Sequence, residues 1–293
     1  MARLTLVADQ AAMSKAAAER ITSLIEYAVA TRGLAAVSLT GGSTPDLLYQ
    51  LLADSNRPWR GRIEWDRLHL FWGDEREVPP DHPESNFGLA HRLLIQHVPI
   101  PDTQVHRMRG ELPASDAGRL YDVVLRARRD QTAGALFDVM LLGIGDNAHI
   151  ASIFPNSPLL VRGPERSAPH EEGSAPHEAE SSPHTDTSPS GADTNPVLSG
   201  ADLSGPRERL ATGVAIPELS QWRITMTPAA LLDSAAIIMI ASGASKAAAV
   251  AAAIDGPADV TRYPAQLLRD AGERVEWIID AAAAARLRGA PRA

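Results

Sequence analysis

His149 is the residue whose sequence surroundings best suit chemistry. It follows a glycine-rich turn at 143–145 and the polar residues Asp146 and Asn147, which come directly after the apolar run 139–142. Glycines let the backbone turn sharply and approach a ligand closely. An imidazole placed there can take a proton at neutral pH, so His149 is the candidate general base.

A second group of residues has the chemistry of a phosphate-binding loop. Gly41, Gly42, Ser43 and Thr44 lie between a predicted strand and a predicted helix. Free backbone N–H groups and two hydroxyls there meet the positive end of a helix, which suits a phosphate. A lone glycine turn is weak support for a site, so this prediction depends on the cations elsewhere in the chain.

Three cationic side chains fall at comparable places. Arg76 ends the motif Asp74-Glu75-Arg76 after a predicted strand, Arg223 opens another strand, and Lys246 follows the apolar strand 237–240. The group at Arg76 alone is explained by a solvated charge cluster, and a single cation at a strand end means little. Together with the glycine loop, three cations at corresponding edges of a sheet favour an organophosphate site, with Asp74 among its residues.

Strands and helices alternate along the chain. Predicted strands cover 4–7, 35–39, 68–71, 139–142, 223–226, 236–240 and 275–279, and predicted helices cover 11–30, 47–52, 86–96 and 117–129. This alternation predicts an α/β fold with a mostly parallel, doubly wound, Rossmann-like sheet and helices on both faces. Ligands in such sheets bind outside the carboxyl ends of the strands, where His149 falls.

The chain is predicted to form one α/β domain from residues 1–162 and 210–293. Between them, residues 163–209 are rich in Ser, Pro, Glu, His, Gly and Asp, with almost no large apolar side chains. Such a composition cannot offset the entropy lost on ordering, so we expect a disordered surface insertion.

The insertion contains a short repeat. Ser-Ala-Pro-His-Glu occurs at 167–171 and again at 174–178, and places His170, His177 and His184 among carboxylates. These histidines could hold a metal weakly, but nothing fixes a coordination geometry. A solvated repeat expansion is the favoured interpretation, and no metal site is predicted elsewhere.

Composition excludes several classes of protein. The 293 residues include no cysteine, so disulfides and thiolate chemistry are excluded, and no apolar stretch reaches the length of a membrane span. The net charge of -8 argues against nucleic acid or an anionic membrane as a partner. We expect a cytoplasmic monomer or weak dimer that acts on a small molecule.

A set of motifs spans nearly the whole chain outside the insertion. In chain order they are Gly41-Gly42-Ser43-Thr44-Pro45, Asp74-Glu75-Arg76, Val78-Pro79, Ser85-Asn86, Leu142-Gly143-Ile144-Gly145, His149, Ser152-Ile153-Phe154-Pro155, Arg223-Ile224-Thr225-Met226-Thr227, Gly243-Ala244-Ser245-Lys246 and Pro264-Ala265. The combination is highly specific. It resembles the 6-phosphogluconolactonases, which share a fold with the glucosamine-6-phosphate deaminases.

The resemblance implies an activity and roles for individual residues. It implies hydrolysis of 6-phospho-D-glucono-1,5-lactone to 6-phosphogluconate, the second step of the oxidative pentose phosphate pathway, with no cofactor. It also implies that the phosphate binds among Ser43, Arg76, Arg223 and Lys246, and that His149 is the general base.

The sequence departs from the family pattern at Asn147 and Ala148, where lactonases usually have Asp and Gly. An Asp two residues before the histidine orients the imidazole and stabilises its charged form, whereas Asn can only orient it. Asp146 is a possible substitute. If the backbone at Ala148 requires a positive φ, the alanine also strains the loop.

Two alternatives remain open at this stage. The first is an amino-sugar phosphate deaminase or isomerase, which requires an acidic residue after the histidine; Ser152-Ile153-Phe154-Pro155 contains none. The second is a sugar-phosphate sensor that has lost catalysis, which the replacement at Asn147 would explain.

Overall fold

A computed structural model of the protein describes residues 2–160 and 209–288. The predicted insertion, with its three histidines, lies outside the described residues except for Arg209. Strands lie at Arg3–Val7 (β1), Ala35–Leu39 (β2), Leu68–Trp72 (β3), Asp74–Arg76 (β4), Phe137–Leu142 (β5), Ala211–Ile216 (β6), Gln221–Met226 (β7), Ser234–Ala241 (β8) and Val275–Asp280 (β9). Helices lie at Gln10–Arg32 (α1), Asp46–Ala53 (α2), Pro58–Arg62 (α3), Asn86–Leu93 (α4), Ala114–Gln131 (α5), Pro228–Leu232 (α6) and Ala247–Ile254 (α7). Among these described residues, no helix has the length and apolar composition needed to cross a bilayer.

Six strands form a parallel sheet in the order β1-β9-β8-β5-β2-β3. The strand order runs in two directions from the adjacent central strands β2 and β5. β3 lies outside β2 at one edge, and β8, β9 and β1 lie outside β5 towards the other edge. The topological switch point is therefore between β2 and β5. The carboxyl ends of these two strands border the crevice in which such folds bind ligands.

Both faces of the parallel sheet are covered, as the unbroken apolar runs predict. Along β5, Met140 and Leu142 pack into a core with α5 and α7, whereas Val139 and Leu141 pack into a second core with α1, α2 and α4. The alternation follows from the period of two in a strand. The predicted doubly wound α/β fold is confirmed.

A second, antiparallel sheet has the order β4-β7-β6, which the sequence did not reveal. The segment 223–226 was predicted as one more strand of the alternating pattern, but it pairs here with β4 and β6. Gly73 turns the chain from one sheet to the other: its N–H donates to the Leu39 carbonyl at 3.1 Å, and its carbonyl accepts from the Met226 N–H at 2.8 Å. The strand β6 was missed because it begins directly after the low-complexity segment.

The chain is anchored on both sides of residues 161–208. Before this segment, the N–H of Asn156 donates to the carbonyl of Thr261 at 2.8 Å. After it, the N–H of Leu210 donates to the Asp122 carboxylate on α5 at 2.6 Å, and the Leu210 carbonyl accepts from the N–H of Thr227 at 2.9 Å. Both attachment points therefore belong to the α/β domain.

Candidate active site

The predicted site residues leave the parallel sheet from neighbouring strands. The loop 40–45 follows β2, the loop 143–155 follows β5, and Lys246 lies in a short 3-10 turn, Ala244–Lys246, after β8. Because β2, β5 and β8 are adjacent, the glycine loop, the His149 loop and Lys246 are all at the carboxyl edge around the switch point.

Arg76 and Arg223 are directly opposite each other on β4 and β7. Arg76 donates through Nη1 to the carbonyl of Glu84, and Arg223 donates through Nη2 to Gln221 Oε1 at 2.7 Å. Both Nε atoms are buried without a hydrogen-bond partner, and within the described part of the chain neither arginine forms an ion pair with a carboxylate. Burial and the adjacent charge of Arg76 lower the pKa of Arg223. Two such guanidinium groups suit a shared anion.

Asn147 fixes the orientation of the His149 ring. Its Oδ1 atom lies 2.6 Å from Nδ1 of the imidazole and 3.2 Å from the backbone nitrogen of His149. A backbone N–H can donate only to the amide oxygen, so the atom facing Nδ1 is an acceptor and Nδ1 carries the proton. In the neutral ring the lone pair is then on Nε2, which is the form a general base requires.

The imidazole is held between a backbone segment and an aromatic ring. Phe154 stacks on His149 with ring centroids 4.0 Å apart and planes 11° apart. A β-carbon added to Gly145 would lie 2.1 Å from two atoms of the imidazole, so a glycine is required there. Phe154 also packs against Val214 and Ile216 of β6, which joins the His149 loop to the small sheet.

Burial, more than the surrounding charges, keeps the His149 ring neutral at pH 7. Burial lowers the pKa of His149 to about 4, and the positive charges of Lys246 and Arg223 act in the same direction. The Asp74 carboxylate has the opposite effect and is the largest charge contribution. The free protein therefore presents the imidazole in its basic form throughout the physiological range.

A buried carboxylate on β4 connects two of the loops. Asp74 accepts a hydrogen bond from Ser152 Oγ at 2.6 Å and from Asn86 Nδ2 at 3.1 Å. The Asn86 amide oxygen would lie 1.7 Å from a β-carbon on Gly41, so the amide occupies the space that a side chain would need. Asp74 thus links the glycine loop, β4 and the His149 loop, and its predicted contact with substrate stays a prediction.

Asp146 contacts a cation. Its Oδ1 atom lies 2.8 Å from Lys246 Nζ, and this hydrogen bond lowers the pKa of Asp146. Asn147 holds the imidazole in this structure, whereas the Asp146 carboxylate is paired with Lys246. The roles predicted for Asp146, Asn147 and Lys246 in catalysis and phosphate binding stay predictions.

The backbone at Ala148 has the strained conformation that the sequence analysis considered. Its φ is 63°, in the left-handed region, and its side chain is fully buried. A non-glycine residue there costs about 1–2 kcal/mol. Two hydrogen bonds within the loop hold this conformation. The N–H of Ala148 donates to the Gly145 carbonyl, and the N–H of Gly145 donates to the His149 carbonyl, both at 2.9 Å.

Comparison with known proteins identifies the family. A sequence profile described as glucosamine-6-phosphate isomerases/6-phosphogluconolactonase matches residues 8–182 and 199–277. The chain belongs to this family. It is 34% identical over 291 residues to the 6-phosphogluconolactonase of Mycobacterium tuberculosis, with 95% of this chain and 96% of that protein covered. The resemblance drawn from the motifs is therefore confirmed.

Solved structures of both branches of the family share the fold. The 6-phosphogluconolactonase of Trypanosoma brucei superposes with a TM-score of 0.70 at 23% identity, covering 98% of this chain and 99% of that one. A monomeric glucosamine-6-phosphate deaminase also has a TM-score of 0.70, at 18% identity, with 97% and 99% covered. The fold alone does not distinguish the two activities, so the side chains of the site must do so.

Proposed function

We propose that this protein hydrolyses 6-phospho-D-glucono-1,5-lactone to 6-phosphogluconate, without a metal or cofactor. The observation that carries the proposal is a neutral imidazole beside a group of cations, with Nδ1 held by Asn147 so that the lone pair is on Nε2. Of these cations, Arg223 and Lys246 are close enough to act on the charge of His149, and Arg76 is directly opposite Arg223. The relatives named 6-phosphogluconolactonase support the same activity.

The reaction needs few parts. Arg76, Arg223, Lys246 and the hydroxyl of Ser43 hold the phosphate, so that remote binding energy keeps C1 of the lactone near His149. Nε2 of His149 takes a proton from water, the hydroxide adds to C1, and backbone N–H groups of the glycine-rich loop stabilise the oxyanion. The tetrahedral intermediate then collapses, and the protonated imidazole returns its proton to the departing ring oxygen.

Asp74 supplies the negative charge that Asn147 lacks. Its carboxylate is buried, is held by Ser152 and Asn86, and favours the charged form of His149. The imidazolium that forms during water attack is therefore stabilised from β4, while Asn147 keeps the ring in the correct tautomer. This division of roles supports an active enzyme over a sensor that binds without turnover.

A turnover assay tests the proposed function. Fresh lactone is added to the protein, product is measured with 6-phosphogluconate dehydrogenase, and spontaneous hydrolysis is subtracted. We expect acceleration by the protein and no release of ammonia from glucosamine 6-phosphate. Ammonia release would identify a deaminase, and tight binding of 6-phosphogluconate without turnover would identify a sensor.

Replacing Arg76 with alanine is expected to weaken binding of 6-phosphogluconate about 30-fold, or about 2 kcal/mol, because a charge-assisted contact to the phosphate is lost. Isothermal titration calorimetry measures the change. Arg119→Ala is the matched control, since Arg119 pairs with Asp116 on the exposed face of α5. Equal affinities for the two variants would remove Arg76 from the phosphate site.

Changing Asn147 to aspartate is expected to raise turnover at saturating lactone about 10-fold, equivalent to about 1.4 kcal/mol, since a carboxylate at Nδ1 stabilises the imidazolium. The pKa of His149, now about 4, should rise. Because the base must be neutral, activity is lost as pH falls through that pKa, so the acidic limb of the rate profile should move to higher pH. Rates between pH 4 and 8 measure both effects.

The competing explanation for Asn147 assigns the carboxylate role to Asp146. In that case Asn147→Asp changes little and Asp146→Ala is the damaging substitution. If neither variant alters the rate or its pH profile, His149 requires no carboxylate at either position.

A further inference from the structure

The ion pair between Asp146 and Lys246 joins the catalytic loop to a proposed phosphate ligand. Nζ of Lys246 lies 2.8 Å from Oδ1 of Asp146, and the side chains are 22% and 68% exposed, respectively. Asp146 immediately precedes Asn147, which holds the imidazole of His149. Any movement of the Asp146 carboxylate therefore occurs one residue from the group that orients the base.

We propose that this ion pair is a latch that the phosphate group of the substrate opens, freeing the Asp146 carboxylate beside the catalytic imidazole. The inference rests on the proposed function, which makes Lys246 a phosphate ligand. A single exposed carboxylate is a weak competitor, because solvent screens its attraction to the lysine. A phosphate dianion has more charge and also binds Arg76 and Arg223, so it displaces Asp146.

Opening the latch changes the charges that act on His149. In the free protein burial lowers the pKa of the imidazole most, Lys246 and Arg223 lower it further, and Asp74 and Asp146 raise it. A bound phosphate neutralises the two cations and releases the Asp146 carboxylate from its lysine. His149 thus becomes a stronger base only when a phosphorylated ligand is present, and selection against unphosphorylated lactones appears in kcat as well as in KM.

Binding of inorganic sulfate tests the latch, because sulfate keeps its double negative charge between pH 4 and 8. Calorimetry is expected to give about 3-fold tighter sulfate binding by Asp146→Asn than by the wild type, since the competing carboxylate is gone. Asp116→Asn is the matched control: it removes the same charge from an exposed ion pair on α5 and should bind sulfate like the wild type. Equal affinities in all three proteins overturn the latch.

Titration of His149 by NMR supplies a second readout that a purely structural role would not change. The His149 signal is assigned by its loss in His149→Gln. Saturating sulfate is expected to raise the pKa of His149 by about 1 in the wild type and by less in Asp146→Asn. An equal rise in both proteins overturns the latch but leaves the phosphate site intact. If none of the proteins binds sulfate, both the phosphate site and the latch are wrong. The proposed lactonase activity is tested separately, by the turnover assay.

Discussion

Replacing His149 with glutamine is expected to lower lactone turnover about 1,000-fold, because the amide cannot accept the proton of the attacking water. Product binding should change less than about 2-fold, since the phosphate is held by other side chains. Coupled turnover measurements and calorimetry with 6-phosphogluconate give the two numbers.

His97→Gln is a suitable control for the loss of a histidine. His97 is exposed in the 3-10 turn Ile95–His97 that follows α4, where its ring contacts the carbonyl of Arg92. This variant should keep full turnover. If His149→Gln retained turnover, the imidazole would not be the general base and the mechanism would need another proton acceptor. If it abolished product binding, the separation of His149 from the phosphate site would be wrong.

Changing Gly145 to alanine is expected to reduce kcat about 100-fold or more with little change in KM. The new β-carbon would lie 2.1 Å from the imidazole, so the ring must leave its place between Gly145 and Phe154. A displacement of about 1 Å at a reacting group costs on the order of 100-fold in rate. Steady-state kinetics separate the loss of kcat from any effect on the phosphate site.

Gly61→Ala is the matched control for this substitution. A β-carbon at Gly61, in α3, has no neighbour within 4 Å. Its turnover should equal that of the wild type, and both variants should bind 6-phosphogluconate. Near-normal kcat in Gly145→Ala would mean that the imidazole can be relocated without cost, contrary to the packing described above.

The main sheet was predictable because its strands can be recognised from their own residues. The runs in β2, β5 and β8 are short and apolar at nearly every position, which is typical of strands in a sheet covered on both faces. The small sheet was not predictable. β4 has only three residues, which is too short for a pattern. The pairing of β6 with β7 uses backbone hydrogen bonds, which cannot be recognised from the order of polar and apolar residues. The helix predicted at 86–96 ends at Leu93, with a 3-10 turn completing the segment.

The candidate site shows a similar division. His149 and the cations were proposed as site residues because their residue types and neighbours are informative. Of the partners of these residues, Asn147 was expected to orient the His149 imidazole and does so, but the others were not found. The amide of Asn86 over Gly41 and the bond from Ser152 to Asp74 depend on how loops far apart in sequence meet. The pairing of Asp146 with Lys246 belongs to the same class, since about 100 residues separate the two. The stack of Phe154 on His149 lies within one loop, but it depends on a loop conformation that the residue types alone do not indicate.

The chain is anchored on either side of residues 161–208, which suggests this stretch as a position for inserting another domain. Asn156 is tied to Thr261, and Leu210 to Asp122 and Thr227, by bonds that do not involve the intervening chain. Closing a longer flexible connection costs only about 0.6 kcal/mol for each doubling of its length. We therefore expect a reporter domain or an affinity module to be tolerated as a fusion between these two anchored points.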